Sequence, residues 1–236
     1  MLLTGFPAGA FGTNCYVVAP GPGQECVVID PGQDAEAPLR SVLAEHKLKP
    51  VAVVLTHGHL DHVWSVVPVC AGYDIPAHLH PADRAMLADP LSWHGEAIGA
   101  MIRGLTFSEP AEVAELTDGV ALDLAGVTLT TRHAPGHTRG SVAFELDHPE
   151  APVLLSGDLL FAGSIGRTDL PGGSHEQMLA SLARVCLPLA DETVVLPGHG
   201  RQTTIGRERA SNPFLSGLAA VPSRSAPTAA PPRRGL

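Results

Sequence analysis

Short apolar runs alternate with turn sequences along most of the chain, and the spacing within each run predicts its secondary structure. Residues 51–55 (VAVVL) are apolar throughout and rich in β-branched side chains, which is typical of a strand buried on both faces. Between Asp34 and Lys49 the apolar residues recur at helical spacing and Pro50 follows, so a helix is predicted there. The same criteria predict strands at 15–19, 25–29, 75–80, 112–116, 120–124, 127–132, 141–146, 153–156 and 193–196.

Two further helices are predicted between these strands. One opens with Pro81, since proline favours the first turn of a helix. The other begins at Ser174, because Gln177 three residues later completes a capping box and the apolar residues that follow lie on one face. Two β-rich halves, each flanked by helices, predict a layered αββα arrangement. Residues 89–110 have weak periodicity and several glycines, and we interpret them as an irregular excursion or lid.

The composition indicates one folded domain followed by a short tail. The chain has 236 residues, of which 44% are hydrophobic and 17% charged, and this length suffices to bury a single sizeable core. From Gly217 onward the sequence contains four prolines and three arginines but no acid. We therefore predict a folded domain over residues 1–216 and a disordered tail over residues 217–236.

Charge and hydropathy argue against several classes of partner. No apolar run approaches the roughly 20 residues that span a bilayer, and the first residues lack the basic region of a signal peptide. We therefore expect no membrane partner and a cytoplasmic location. The formal charge is −9, or −12 once the three tail arginines are removed, and Lys47 and Lys49 are the only lysines, which argues against nucleic acid. The four cysteines lack C-x-x-C spacing and are predicted to be buried free thiols, and the oligomeric state is left open.

The segment HGHLDH at 57–62 places four potential metal ligands within six residues, directly after a predicted buried strand. Imidazole nitrogen and carboxylate oxygen suit Zn²⁺, Fe and Mn²⁺, and a loop after a strand can turn alternate side chains toward one point. Taken alone, the segment also fits a solvated histidine-rich loop. Three later candidates, His137, Asp158 and His199, each lie where a predicted strand gives way to a loop. The seven candidates are enough for two metal ions.

The motifs THGHLDH, APGHT, SGD and PGHG, in this order, resemble the metallo-β-lactamase superfamily across roughly residues 10 to 215. The segments FAGSIGRTDLPGG and TTIGRERASNPFL resemble the bacterial glyoxalase II-like hydrolases, also called hydroxyacylglutathione hydrolases. The resemblance implies an α/β (α+β) fold, namely a four-layer αβ/βα sandwich of two mixed β-sheets flanked by helices, with the catalytic domain spanning residues 1–216. It also implies two metal positions with one shared ligand: His57, His59 and His137 for the first ion, Asp61, His62 and His199 for the second, and Asp158 as the bridge.

This ligand set implies metal-dependent hydrolysis. Two divalent ions, expected to be Zn²⁺ with Fe or Mn as alternatives, can share a water, lower its pKa toward about 7 and present a bridging hydroxide to a polarised carbonyl. Asp61 would orient that hydroxide. A thioester such as S-lactoylglutathione is a suitable small-molecule substrate, because its thiolate departs with little proton donation.

Three other residues are candidates for supporting roles. Arg167 occupies the position at which glyoxalase II enzymes keep a basic residue for the thiol carrier, and it either binds a carboxylate bidentately or pairs with Asp169. Arg201 replaces the tyrosine that those enzymes have two residues after the last metal histidine, and it is a second candidate for substrate binding. Asp30 ends a predicted strand, and it either holds a ligand histidine in one tautomer or is a simple turn aspartate. Because only 37 residues follow His199, the helical domain with which longer enzymes of this type bind glutathione is expected to be absent, and the thiol carrier stays open.

Two alternative functions use the same residues. Persulfide dioxygenases share the first motif, the GHT segment and the GRTD string, and they bind one iron through the residues equivalent here to His57, His137 and Asp158. A β-lactamase is the weaker alternative, because the sequence has no separate acid for a lactam nitrogen and no secretion signal. Six further histidines are predicted to be ordinary surface or packed residues: His78, His80, His94, His133, His148 and His175.

Overall fold

The structure of the chain, a computed structural model, describes residues 1–90, 92–94, 102 and 104–219. Two six-stranded sheets form its centre. In spatial order the first sheet consists of β1 (Leu2–Ala8), β2 (Thr13–Ala19), β3 (Glu25–Ile29), β4 (Lys49–Val54), β5 (Ala77–Leu79) and β6 (Val113–Glu115). The second consists of β12 (Thr203–Thr204), β11 (Val194–Pro197), β10 (Val153–Gly157), β9 (Val142–Leu146), β8 (Val127–His133) and β7 (Ala121–Leu124).

Both sheets mix antiparallel and parallel pairs. In the first sheet β1, β2 and β3 are antiparallel, whereas β3 to β6 are parallel. In the second sheet β10 and β11 form the parallel pair. Ile29 lies beside Val54, and Leu155 lies beside Leu196, so the parallel strands of each sheet end together. The segments that follow these strands therefore meet at one edge of the sandwich.

Three apolar layers hold the sheets and helices together. The layer between the two sheets contains Ile29, Phe144 and Leu155, all fully buried. The next residue back in β10, Leu154, belongs to a second layer under the helices of the second sheet. A third layer, which includes Leu39, lies between the first sheet and its helices. The central strands are thus buried on both faces, and the predicted four-layer αβ/βα sandwich is confirmed.

The helices lie close to their predicted positions where a helix start signal is present in the sequence. Ser174 accepts a hydrogen bond from the backbone N–H of Gln177 at 3.3 Å, so the predicted capping box begins a helix there. The described helices are α1 (Glu36–His46), α2 (Leu60–Val63), α3 (Val66–Tyr73), a 3₁₀ turn at Pro81–Asp83, α4 (Ala85–Ala88), α5 (His175–Val185), α6 (Ile205–Ser211) and α7 (Pro213–Ala219). In the described ranges, none of them has the length and apolar character that crossing a membrane requires.

Several features were not predicted. Strand β1 was missed because Gly5 and Pro7 interrupt its apolar pattern, although it pairs with β2 along its whole length. Helix α7 continues to Ala219, so the domain boundary predicted after residue 216 falls inside a helix, and residues 220–236 lie outside the described residues. Much of the predicted excursion at 89–110 also lies outside them, at 91, 95–101 and 103.

Candidate metal centre

The structure brings all seven candidate ligands together at the edge where the parallel strands end. The loop and short helix after β4 supply His57, His59, Asp61 and His62, and the turn between β8 and β9 supplies His137. The other two follow β10 and β11. The ligand atoms of the seven residues form three groups, and within each group all atoms lie within 4.8 Å of one another. The groups are His57 with His59 and His137, Asp61 with His62 and His199, and His57 with His62 and Asp158.

A buried network fixes the tautomers of two of these histidines. Thr56 Oγ1 lies 2.6 Å from Asp30 Oδ2 and 3.1 Å from His57 Nδ1. Since the carboxylate only accepts, the hydroxyl proton points to Asp30, and the oxygen accepts the N–H of His57. His62 Nδ1 donates to Asp30 Oδ2 at 2.9 Å. Both imidazoles therefore turn Nε2 toward the cluster, as metal-binding histidines do.

The third buried imidazole is oriented by the backbone. His137 Nδ1 donates to the carbonyl oxygen of Arg167 at 2.7 Å, which leaves the Nε2 lone pair facing the cluster. That Nε2 lies 2.7 Å from His59 Nδ1 and 3.2 Å from His57 Nε2. Nitrogens of His57 and His137 with fixed lone pairs cannot donate hydrogen bonds to each other, whereas a cation between them would satisfy both. The donor set therefore fits a divalent metal ion.

Asp158 reaches both halves of the cluster. Its Oδ1 lies 3.3 Å from His62 Nε2, and its Oδ2 lies 3.4 Å from His137 Nε2 and 3.8 Å from His199 Nε2. Oδ1 is buried and has no hydrogen-bond partner among the described residues. A buried carboxylate oxygen in this position suits a bridging metal ligand.

The electrostatics of the cluster favour a cation. Burial, together with the neighbouring imidazoles, holds the pKa of His57 and His59 well below the usual range, so both rings are neutral. Burial opposes ionisation of Asp61, but His62 and His199 lower its pKa and keep it a carboxylate. Burial also opposes a charge on His62 and His199, but Asp61 and Asp158 raise the pKa of both imidazoles, so the carboxylates favour a positive charge at this position. Neutral nitrogens and charged oxygens are the ligand forms that Zn²⁺, Fe and Mn²⁺ bind.

The candidates for supporting roles have different surroundings. Asp30 is 2% exposed and, as well as contacting His62, accepts the backbone N–H of Thr56 at 2.8 Å. The guanidinium of Arg167 pairs bidentately with Asp169 at 2.7 and 2.9 Å, which is one of the two arrangements that the sequence left open. Both side chains are exposed. Arg201 is exposed in the loop after β11, and substrate binding by either arginine stays a prediction.

Residues that the sequence did not single out surround the cluster. His94, expected to be an ordinary histidine, is 8% exposed, and its ring lies 4.7 Å from that of His59. Its Nδ1 donates to the carbonyl of Pro90, and its Nε2 accepts the N–H of Leu60, each at 2.8 Å. Asn14, in β2 of the first sheet, holds the loop after β11 of the second sheet with three hydrogen bonds. Its Nδ2 donates to the carbonyls of Pro197 and Gly200, and its backbone N–H donates to the carbonyl of Gly198. Neither residue belongs to a local sequence motif. The partners of Asn14 are distant in sequence, and His94 lies in an irregular segment.

Comparison with known proteins agrees with this geometry. Residues 8–199 match the family model described as the metallo-beta-lactamase superfamily. The chain is 42% identical to BLEG-1, a B3 metallo-beta-lactamase, with a TM-score of 0.79 over 92% of this chain and 100% of that one. It is 39% identical to TTHA1623 in a di-iron-bound form, with a TM-score of 0.72 over 90% and 100% of the two chains. The hydroxyacylglutathione hydrolase GloC of Haemophilus influenzae is 34% identical over 89% of this chain and 96% of its own.

Proposed function

Because the chain belongs to the metallo-β-lactamase superfamily, whose enzymes are generally hydrolases, we propose that it hydrolyses a (2-hydroxy)acyl thioester at a two-metal centre. The convergence of seven nitrogen and oxygen ligands at one sheet edge, three of the histidines with fixed tautomers, carries this proposal. The similarity to GloC supports a thioester as the substrate class. S-lactoylglutathione serves as the model substrate, and the natural thiol carrier is left open.

In this proposal the cluster would hold two ions. His57, His59 and His137 would hold the first, Asp61, His62 and His199 would hold the second, and Asp158 would be shared between them. Divalent ions bound there, Zn²⁺ in our proposal with Fe or Mn as alternatives, would acidify a water molecule and polarise the scissile carbonyl.

The exposed side of the cluster indicates where the substrate enters. The side chains of Asp61 and His199 are 20% and 27% exposed, whereas that of His62 is completely buried. Asp61 Oδ2 accepts a hydrogen bond from Thr13 Oγ1 at 3.3 Å and lies 3.0 Å from His199 Nε2. We assign Asp61 the role of orienting the attacking water, because its carboxylate is fixed at the face that solvent reaches.

The leaving group decides between a thioester and a lactam. A thiol has a pKa of about 8.5, so its thiolate departs near neutral pH without a proton donor. A lactam nitrogen requires a proton, and the neighbouring His94 is engaged at both ring nitrogens. Thioester hydrolysis therefore needs no proton donor among the described residues, whereas lactam hydrolysis needs one.

The proposal is tested with the purified full chain by elemental analysis and a substrate panel. We expect two metal ions per chain and release of free thiol from S-lactoylglutathione or from a thioester of a smaller thiol. Oxygen uptake with glutathione persulfide and one bound iron would instead indicate the dioxygenase. Faster turnover of a β-lactam than of any thioester would also contradict the proposal.

Arg167 offers a test of carrier binding. If its guanidinium binds a carboxylate of the carrier, Arg167→Gln should raise the KM for S-lactoylglutathione about tenfold with little change in kcat, which corresponds to ~1.4 kcal/mol. Asp169→Asn should lower the KM, because it releases the guanidinium from its present partner. Arg132→Gln removes a similar pair with Glu145 on the second sheet and is the matched control. An unchanged KM in both loop variants would assign the pair to loop structure alone.

A further inference from the structure

The carboxylate of Asp83 joins the two ligand loops of the first metal position, although it lies on neither. Asp83 ends the 3₁₀ turn after β5 and has no exposed surface. Its Oδ2 accepts the backbone N–H of Gly58 at 3.0 Å and the hydroxyl of Thr138 at 2.6 Å. Its Oδ1 accepts the backbone N–H of Gly140 at 2.7 Å. The three bonds span 25 to 57 residues of sequence.

The donors are placed directly beside the ligands. Gly58 lies between His57 and His59, and Thr138 follows His137. A Cβ on Gly58 would lie 2.9 Å from the carbonyl oxygen of Asp83, and one on Gly140 would lie 2.7 Å from its carboxylate. Both loops therefore pack directly on Asp83, at a distance that only glycine permits.

We propose that Asp83 is a positioning residue that sets the distance between the His57–His59 loop and the His137 loop and so shapes the first metal position. This inference rests on the metal-binding part of the proposed function and is independent of the substrate. A buried carboxylate is costly unless it is fully hydrogen-bonded, and three charge-assisted hydrogen bonds from two loops meet that requirement. An amide of the same shape has one acceptor oxygen and cannot receive all three donors.

Asp83→Asn tests the inference with the least change in volume. The amide NH₂ faces Gly58 in one orientation and Gly140 in the other, so one of the two backbone N–H groups loses its acceptor in either case. We expect the ion bound by His57, His59 and His137 to bind about 10- to 100-fold more weakly, and the other ion to be less affected. Competition between the protein and a chelator for Zn²⁺ measures both affinities, and the visible spectrum of the Co²⁺-loaded protein reports the coordination geometry.

Two matched comparisons separate positioning from general stability. Asp123→Asn changes an exposed aspartate that accepts a 2.6 Å hydrogen bond from Thr128 in the β7–β8 hairpin, and it should leave both Zn²⁺ affinities unchanged. Thr138→Val removes one donor and should lower the Zn²⁺ affinity of the first metal position. Thr138→Ser keeps the hydroxyl and should have the wild-type affinity. The Thr138 variants also provide the test if Asp83→Asn does not fold.

The outcomes distinguish this inference from the proposed function. Wild-type Zn²⁺ affinities and an unchanged Co²⁺ spectrum in Asp83→Asn, with only a lower melting temperature, would overturn the positioning role alone. A wild-type chain that binds no metal would overturn both proposals. Metal binding that weakens in Asp83→Asn, in a chain that hydrolyses no thioester, would support the positioning role and contradict the substrate assignment.

Discussion

Replacing Asp158 with asparagine is expected to abolish thioester hydrolysis and to lower the metal content from two ions per chain to one or fewer. The two carboxylate oxygens lie 3.3 to 3.8 Å from His62, His137 and His199, so one residue serves both metal positions. Asparagine offers one neutral oxygen and an NH₂ group that cannot bind a cation. We expect kcat/KM to fall at least about a thousandfold, equivalent to ~4 kcal/mol of transition-state stabilisation.

Elemental analysis and thiol release on the same sample measure this effect. His59→Ala should also abolish turnover, because it removes a ligand from the first group. Asp123→Asn is the control for the substitution itself, since Asp123 is exposed on the β7–β8 hairpin. Full thioesterase activity in Asp158→Asn or in His59→Ala would contradict the two-metal mechanism.

The candidate ligands could be predicted because they combine rare residue types with a fixed order after strands. HGHLDH, and then His137, Asp158 and His199, follow predicted strands, and parallel strands end at a common edge. The layered fold could be predicted for a related reason, since the apolar runs of the central strands are continuous. Strand β1 could not, because Pro7 and a glycine break its pattern and its stability comes from pairing with β2.

The residues that surround the ligands could not be predicted because their roles exist only after folding. In the sequence, Asp83 looks like an acid in the first turn of a helix, and Asn14 looks like a polar residue just before a strand. Their partners are 25 to 186 residues away. Asn14 belongs to the first sheet and binds the loop of the second sheet that carries His199. The cluster therefore depends on how the two sheets pack.

That dependence leads to the second large expected effect, in Gly198→Ala. Gly198 lies beside His199, and its backbone N–H donates to the carbonyl of Gly157 at 2.8 Å, so it cannot move away from the cluster without breaking this bond. A Cβ at this position would overlap Oδ1 of Asp158 and lie 2.6 Å from Cε1 of His62. The backbone of Gly198 is not in the left-handed region, so the effect arises from this overlap.

We expect Gly198→Ala to lower kcat/KM at least about a hundredfold, equivalent to ~2.7 kcal/mol, because the displaced carboxylate no longer serves both metal positions. Metal content and thiol release measure the effect. Gly72→Ala is the matched control, since Gly72 lies in α3 with open space around its Cβ position, and alanine there should preserve activity and stabilise the helix by about 0.5–1 kcal/mol. Two bound ions and wild-type turnover in Gly198→Ala would mean that Asp158 can move without loss of function, and its assignment as the shared ligand would then be wrong.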